Sequence, residues 1–100
     1  MKGVFGVIDS NGGVVNQAYT HRERAHIDSV KSLPCSVCDA PGPSQAHHIK
    51  QSLAYSCVAL CQDCHQGYHN GIHGLRAIWR IMKMEELDAL CVTIERLGLT

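Results

Sequence analysis

The chain has 100 residues, 45% of them hydrophobic and 18% charged, and its nine basic and nine acidic side chains give a formal net charge of zero. That length holds one domain, and apolar runs of only a few residues exclude a bilayer span. Neutrality disfavours a general polyanion binder, although bound divalent ions would add local positive charge outside that tally.

The N-terminus, MKGVFGVIDSNGG, is too Gly-rich and too short in its apolar part for a signal peptide. The expected compartment is the cytoplasm, where paired cysteines favour metal over disulfide. Residues 3–8 and 14–18 are β-leaning runs separated by Asn11-Gly12, which predicts a hairpin over 1–19. Thr20 and Glu23 fit a capping box, so a helix should start there and run to about Lys31 within segment 20–33, with Ile27 and Val30 inward and Pro34 as the stop.

Cys35-x2-Cys38 opens a turn-rich knuckle in which Pro41, Gly42 and Pro43 exclude regular structure. His47-His48-Ile49 and Cys57–Leu60 read as two short strands, with Cys57 in their core. Cys61-x2-Cys64 is a second knuckle. From Asp63 a helix is predicted to carry His65 and His69 at i, i+4, with Gly67 and Gly71 weakening it. Residues 75–83 read as an amphipathic helix with Leu75, Ile78, Trp79 and Met82 inward and a basic edge of Arg76, Arg80 and Lys83. A last helix over 85–97 places Leu87, Leu90, Cys91, Ile94 and Leu97 on one apolar stripe, with Cys91 as a small core residue.

The chemistry concentrates in residues 35–73. A turn between two cysteines points both sulfurs inward, and two such pairs complete a four-thiolate site for structural Zn(II) at Cys35, Cys38, Cys61 and Cys64. The histidines exceed what that ion needs. His47 and His48 are neighbours on a strand and must point to opposite faces, so one can ligate an ion while the other stays a free base. His65, His69 and His73 recur every four residues, a spacing at which helical imidazoles can share an ion. The blander reading leaves His65 packed beside the zinc knuckle and His69 and His73 as exposed loop residues.

C-x2-C, then His-His-Ile, then Leu-Cys-x2-Cys-His resembles the HNH (His-Me finger) endonucleases, over about residues 35–73. The segments SLPCSVC, AHHI, ALCQDCHQ and GIHG followed by a Trp-bearing helix are similar to small phage or prophage members, among them the RecA-dependent recombination-enhancing nucleases. The resemblance implies an α+β fold with a zinc-knuckle, treble-clef-like ββα-metal core, an N-terminal hairpin and C-terminal helices over 75–97. It implies His48 as general base. It implies His47, His65 and either His69 (an H-x3-H variant) or His73 (the phage-type variant) as ligands of a catalytic Mg(II) or another divalent cation. It further implies DNA as substrate, products with 5′-phosphate and 3′-hydroxyl ends, and the bacterial host cytoplasm if the chain is phage-encoded. One position departs from the family: an Asn usually precedes the second knuckle, and Tyr55-Ser56-Cys57-Val58 holds none.

The expected function is therefore a metal-dependent DNA endonuclease or nickase in recombination or DNA processing, with Lys50, Arg76, Arg80 and Lys83 as phosphate contacts and a recombinase filament as a candidate partner. Two other readings stand beside it. One is a non-catalytic zinc module that docks DNA or a recombination protein, favoured by neutrality and the missing Asn. The other is a structural role with helices 75–97 as an interaction surface.

Overall fold

The computed structural model describes residues 19–98, so the hairpin expected from residues 3–8 and 14–18 lies outside the described residues. In chain order the elements are α1 (His21–Lys31), β1 (Gln45–His48), β2 (Cys57–Leu60), α2 (Gln62–Gln66), α3 (Ala77–Ile81) and α4 (Glu86–Gly98). The fold is α+β. No described helix is long and apolar enough to cross a membrane.

α1 starts where the capping box places it. The Thr20 hydroxyl accepts from Glu23 N at 3.1 Å and the Glu23 carboxylate accepts from Thr20 N at 2.8 Å, satisfying two otherwise orphaned donors. Ile27 and Val30 are buried as expected, with Glu23 on the same face.

β1 and β2 pair antiparallel in the register Gln45↔Leu60, Ala46↔Ala59, His47↔Val58 and His48↔Cys57. Directly opposed residues share a face, so the pleat sorts the hairpin into two sides. Gln45, His47, Val58 and Leu60 face one way. Val58 and Leu60 there join Cys35, Val37, Cys64, Ile72, Trp79 and Ala89 in one apolar cluster. Ala46, His48, Cys57 and Ala59 face the other way, where Cys57 and Ala59 pack with Ile27, Val30 and Leu33 around α1. Cys57 is strand core, as its sequence context implied.

Three expectations are corrected. The helix from Asp63 stops at Gln66, because Gly67 turns extended (φ −63, ψ 144), and a Cβ there would run into the Asp63 carbonyl and carboxylate. His69 is therefore not on a helix with His65. The helix predicted over 75–83 shrinks to Ala77–Ile81. Arg76 (φ 60) and Lys83 (φ 55) adopt left-handed backbone at its two ends, so Arg76, Arg80 and Lys83 do not form one helical edge. Trp79 is buried and donates its indole N–H to Cys64 O at 3.0 Å, while Leu75 and Met82 are each 48% exposed.

α4 keeps only part of its predicted stripe inward: Leu90 and Leu97 are half-buried and pack against the two core clusters. Leu87 is 68% exposed, Ile94 48% exposed and Cys91 exposed, while the buried residues are Ala89 and Thr93. Polar bonds choose this face. Thr93 Oγ1 shares a hydrogen with Ser36 Oγ at 2.7 Å, accepts from Ala59 N at 3.3 Å and donates to Ala89 O at 3.0 Å. Arg96 donates to Cys35 O at 3.0 Å and pairs with Asp39. These groups are buried or adjoin the first knuckle, and leaving them unpaired would cost more than exposing Leu87 and Ile94.

Candidate metal centres

The two knuckles bring Cys35, Cys38, Cys61 and Cys64 together, with one sulfur from each lying within 4.8 Å of the others. Cys38 and Cys61 sulfurs, from different knuckles, are 3.6 Å apart. In each knuckle a backbone N–H points at a sulfur: Val37 N at Cys35 Sγ and Cys64 N at Cys61 Sγ, both 3.4 Å. Such bonds favour the thiolate. Burial of Cys35 works against them, yet the backbone donors win and hold its thiol below the usual range. Cys64 goes the other way: burial first, then the Cys35 charge, pushes its thiol far up. Without a cation this cavity resists a full set of thiolates. A tetrahedral ion such as zinc removes that conflict and fits the four-sulfur donor set.

A second cluster lies on the Gln45/His47 side of β1. His47, His65 and His73 each offer a ring nitrogen within 4.8 Å of the other two. Ring centroids are 5.1 Å apart for His47–His65 and His47–His73, and 4.9 Å for His65–His73. His47 is buried on the strand, His65 half-buried on α2 and His73 exposed on the returning loop. The loop returns because residues 67–74 fold tightly through three glycines. Ile72 N donates to Cys64 O at 2.8 Å and His73 N to His65 O at 3.2 Å, laying the GIHG segment against α2. A Cβ on Gly71 or Gly74 would collide with the carbonyl oxygen of Gly67. The glycines that weaken a long helix are thus the ones that deliver His73.

Two residues that sequence reasoning missed complete this centre. Gln45 presents its amide oxygen to His65 Nδ1 at 2.7 Å, which places the hydrogen on Nδ1 and leaves Nε2 as a lone-pair donor. Gln45 lies two residues before His47 on a strand, so same-face placement was available as a signal. Glu86, the first residue of α4, accepts from His47 Nε2 at 2.6 Å. No spacing could point to it, since it lies 39 positions away in sequence. Burial, and then the neighbouring His47 and His73, lower the His65 imidazole to about 4, so it stays neutral and available as a ligand through mild acid.

His69 stands apart from the cluster. It is exposed, its ring meets Tyr68 at 5.0 Å, and its carbonyl accepts from Ala77 N at 2.8 Å. Asn70 braces the same corner, donating to Asp63 and accepting from Ile78 N at 3.1 Å.

His48 ends β1 on the face opposite the histidine cluster. Its ring stacks on Tyr19 at a centroid distance of 6.1 Å, and its Nε2 is buried without a hydrogen-bond partner among the described residues. Burial first holds its imidazole below the usual range, against a backbone hydrogen bond to Ala54 that favours the proton. The loop that carries Ala54 is clamped by Ser56, whose hydroxyl bonds Leu53 O at 2.7 Å and both Lys50 backbone groups at 3.2 Å. A serine hydroxyl therefore holds this loop.

Of the basic residues, Arg76 and Arg80 line a groove with Ile49, Ile72, Met84 and Glu86, beside the histidine cluster. Arg76 is fixed there by donating its Nε to Ile72 O at 2.9 Å. Lys50, in the turn after β1, and Lys83, after α3, lie outside that lining. No family model, curated protein or solved structure matches this chain.

Proposed function

We propose that this chain is a metal-dependent phosphodiester hydrolase acting on DNA, of the HNH type that its motifs resemble. The observation that carries the reading is the three-histidine cluster of His47, His65 and His73, built beside the four-cysteine cluster and one residue from a histidine with an unused nitrogen. The order knuckle, β1, β2, knuckle, α2 supports a treble-clef-like ββα-metal core with zinc on the cysteines. Three imidazole donors leave coordination positions open for substrate, as hydrolysis requires.

In this reading His47, His65 and His73 hold the ion, with His73 rather than His69 as the third ligand. Imidazole donors suit zinc, nickel, cobalt or iron better than Mg(II), which like Mn(II) prefers oxygen. The ion, when bound, would polarise a phosphoryl oxygen and stabilise the leaving oxygen. His48 accepts the proton of the attacking water through Nε2. Its half-buried imidazole, held below the usual range, is neutral and in the right protonation state for that at neutral pH. His48 is the last residue of β1, so a phosphodiester laid over the strand end would meet both faces. Arg76 and Arg80 supply charge to the flanking backbone.

The test is conversion of supercoiled plasmid by wild type and His48→Ala at equal zinc content, with Mn(II), Co(II) or Mg(II) added. Metal-dependent nicking by wild type, reduced about 10²–10⁴-fold in His48→Ala, is the expected result. Equal cutting by both proteins removes His48 from the role of base. The covered His48 Nε2 and the chain's neutrality favour a second reading, a zinc module that docks DNA without cutting. Binding without cleavage, on naked and recombinase-coated DNA alike, would select it.

A further inference from the structure

Glu86 is the point at which α4 reaches the histidine cluster. Its carboxylate oxygen lies 2.6 Å from His47 Nε2, a charge-assisted hydrogen bond, and its side chain is 31% exposed while that of His47 is 7% exposed. Yet its carboxylate oxygens do not join His47, His65 and His73 in the set of ligand atoms that all lie within 4.8 Å of one another. It touches one histidine from outside the cluster instead of sharing its centre. A carboxylate in that place takes the Nε2 hydrogen and leaves Nδ1 as the lone-pair donor. Across the cluster, Gln45 does the converse for His65: it takes the Nδ1 hydrogen and leaves Nε2.

The other end of α4 is bound to the cysteine cluster. Thr93 meets Ser36 beside Cys35, and Arg96 donates to the Cys35 carbonyl. One helix thus contacts both centres, and the frame set by the knuckles is carried to His47 through Glu86.

Resting on the reading of His47, His65 and His73 as ligands, we propose that Glu86 is an outer-sphere positioning residue of that metal site, fixing the tautomer and orientation of His47. It is not itself a ligand. Outer carboxylates of this kind raise the basicity of the ligating ring, and their loss costs metal affinity without changing the donor set.

The experiment is titration with Co(II) of protein that already carries zinc on the four cysteines, followed by visible absorption. Wild type, Glu86→Ala, Glu86→Gln and His73→Ala are compared. Wild type should take up Co(II) and His73→Ala should not. Glu86→Ala should bind on the order of 10–100-fold more weakly. Glu86→Gln, whose amide oxygen still accepts the Nε2 hydrogen, should recover part of that loss, with band positions and intensities identical to wild type. Equal affinity in wild type and both Glu86 variants overturns the proposal and leaves the metal site standing. Altered bands in Glu86→Gln identify the carboxylate as a direct ligand and overturn it too. Absence of Co(II) uptake by wild type removes the metal site itself, and the proposal with it. If Glu86→Ala loses its zinc, the Gln variant carries the test alone.

Discussion

The four-cysteine cluster and the three-histidine cluster are built from the same stretch of chain by opposite means. Each half of the cysteine cluster is local: two residues in a tight turn, sulfurs converging, backbone N–H groups aimed at them. It provides four soft donors, a full tetrahedral shell. The histidine cluster draws one residue each from a strand, a helix and a glycine-rich return, with His73 open to solvent. It provides three donors and depends on neighbours, Gln45 and Glu86, to set its tautomers. A closed shell suits holding a fold, and an open one suits binding a substrate.

The largest break in that comparison is a cysteine. Cys64→Ser should abolish cooperative unfolding, since zinc binding in small metal domains is worth about 10–16 kcal/mol and this core has little else to replace it. Loss of the thermal transition by circular dichroism, matched by chelation of wild type, checks it. His73→Ala should act on the other centre only. Zinc content and melting should match wild type, while uptake of a second ion and plasmid nicking disappear. His69→Ala should change neither, because its ring lies outside the cluster. A His69 variant that loses the second ion would reverse the ligand assignment.

Thr93→Val tests the helix that joins the centres. It leaves Ser36 Oγ and Ala59 N–H without the partner they have inside the core, and should cost about 1–3 kcal/mol in urea unfolding. A neutral result would mean the apolar contacts of α4 suffice. The smallest effect is one of pH, on the face away from both clusters. Burial lowers the His26 and His48 imidazoles below their ordinary 6.5. The unfolded chain then takes up protons first, so the stability these rings contribute is complete above about pH 6.5 and declines as pH falls below it. Urea midpoints should drop in mild acid, and His26→Gln combined with His48→Gln should flatten that slope.

Local patterns were readable where one short stretch of chain contains the whole device. The Thr20/Glu23 box, the two knuckles, the β2 segment and the divergence of His47 and His48 all depend on residues a few positions apart. The errors fall where distant partners compete. Periodicity read Leu87, Leu90, Cys91, Ile94 and Leu97 of α4 as one core stripe, but buried hydrogen bonds through Thr93 and the Arg96 contact with Cys35 rotate the helix, so that Leu90 and Leu97 pack on the core while Leu87, Cys91 and Ile94 are exposed. Spacing alone left His69 and His73 equivalent. The turn at Gly67 separates them, by ending α2 and folding residues 72–73 back along it.

The sequence by itself determined the donor chemistry: which side chains can bind metal, the knuckles that hold four of them, and the strand alternation that parts His47 from His48. Those follow from backbone geometry over a few residues, where the period of a strand or the reach of a turn leaves little choice. Only the tertiary structure decided which third histidine joins His47 and His65, which face of α4 is buried, and that Glu86 meets His47. Each of those depends on a balance between burying apolar surface and satisfying buried polar groups, and that balance is struck between segments far apart in the chain.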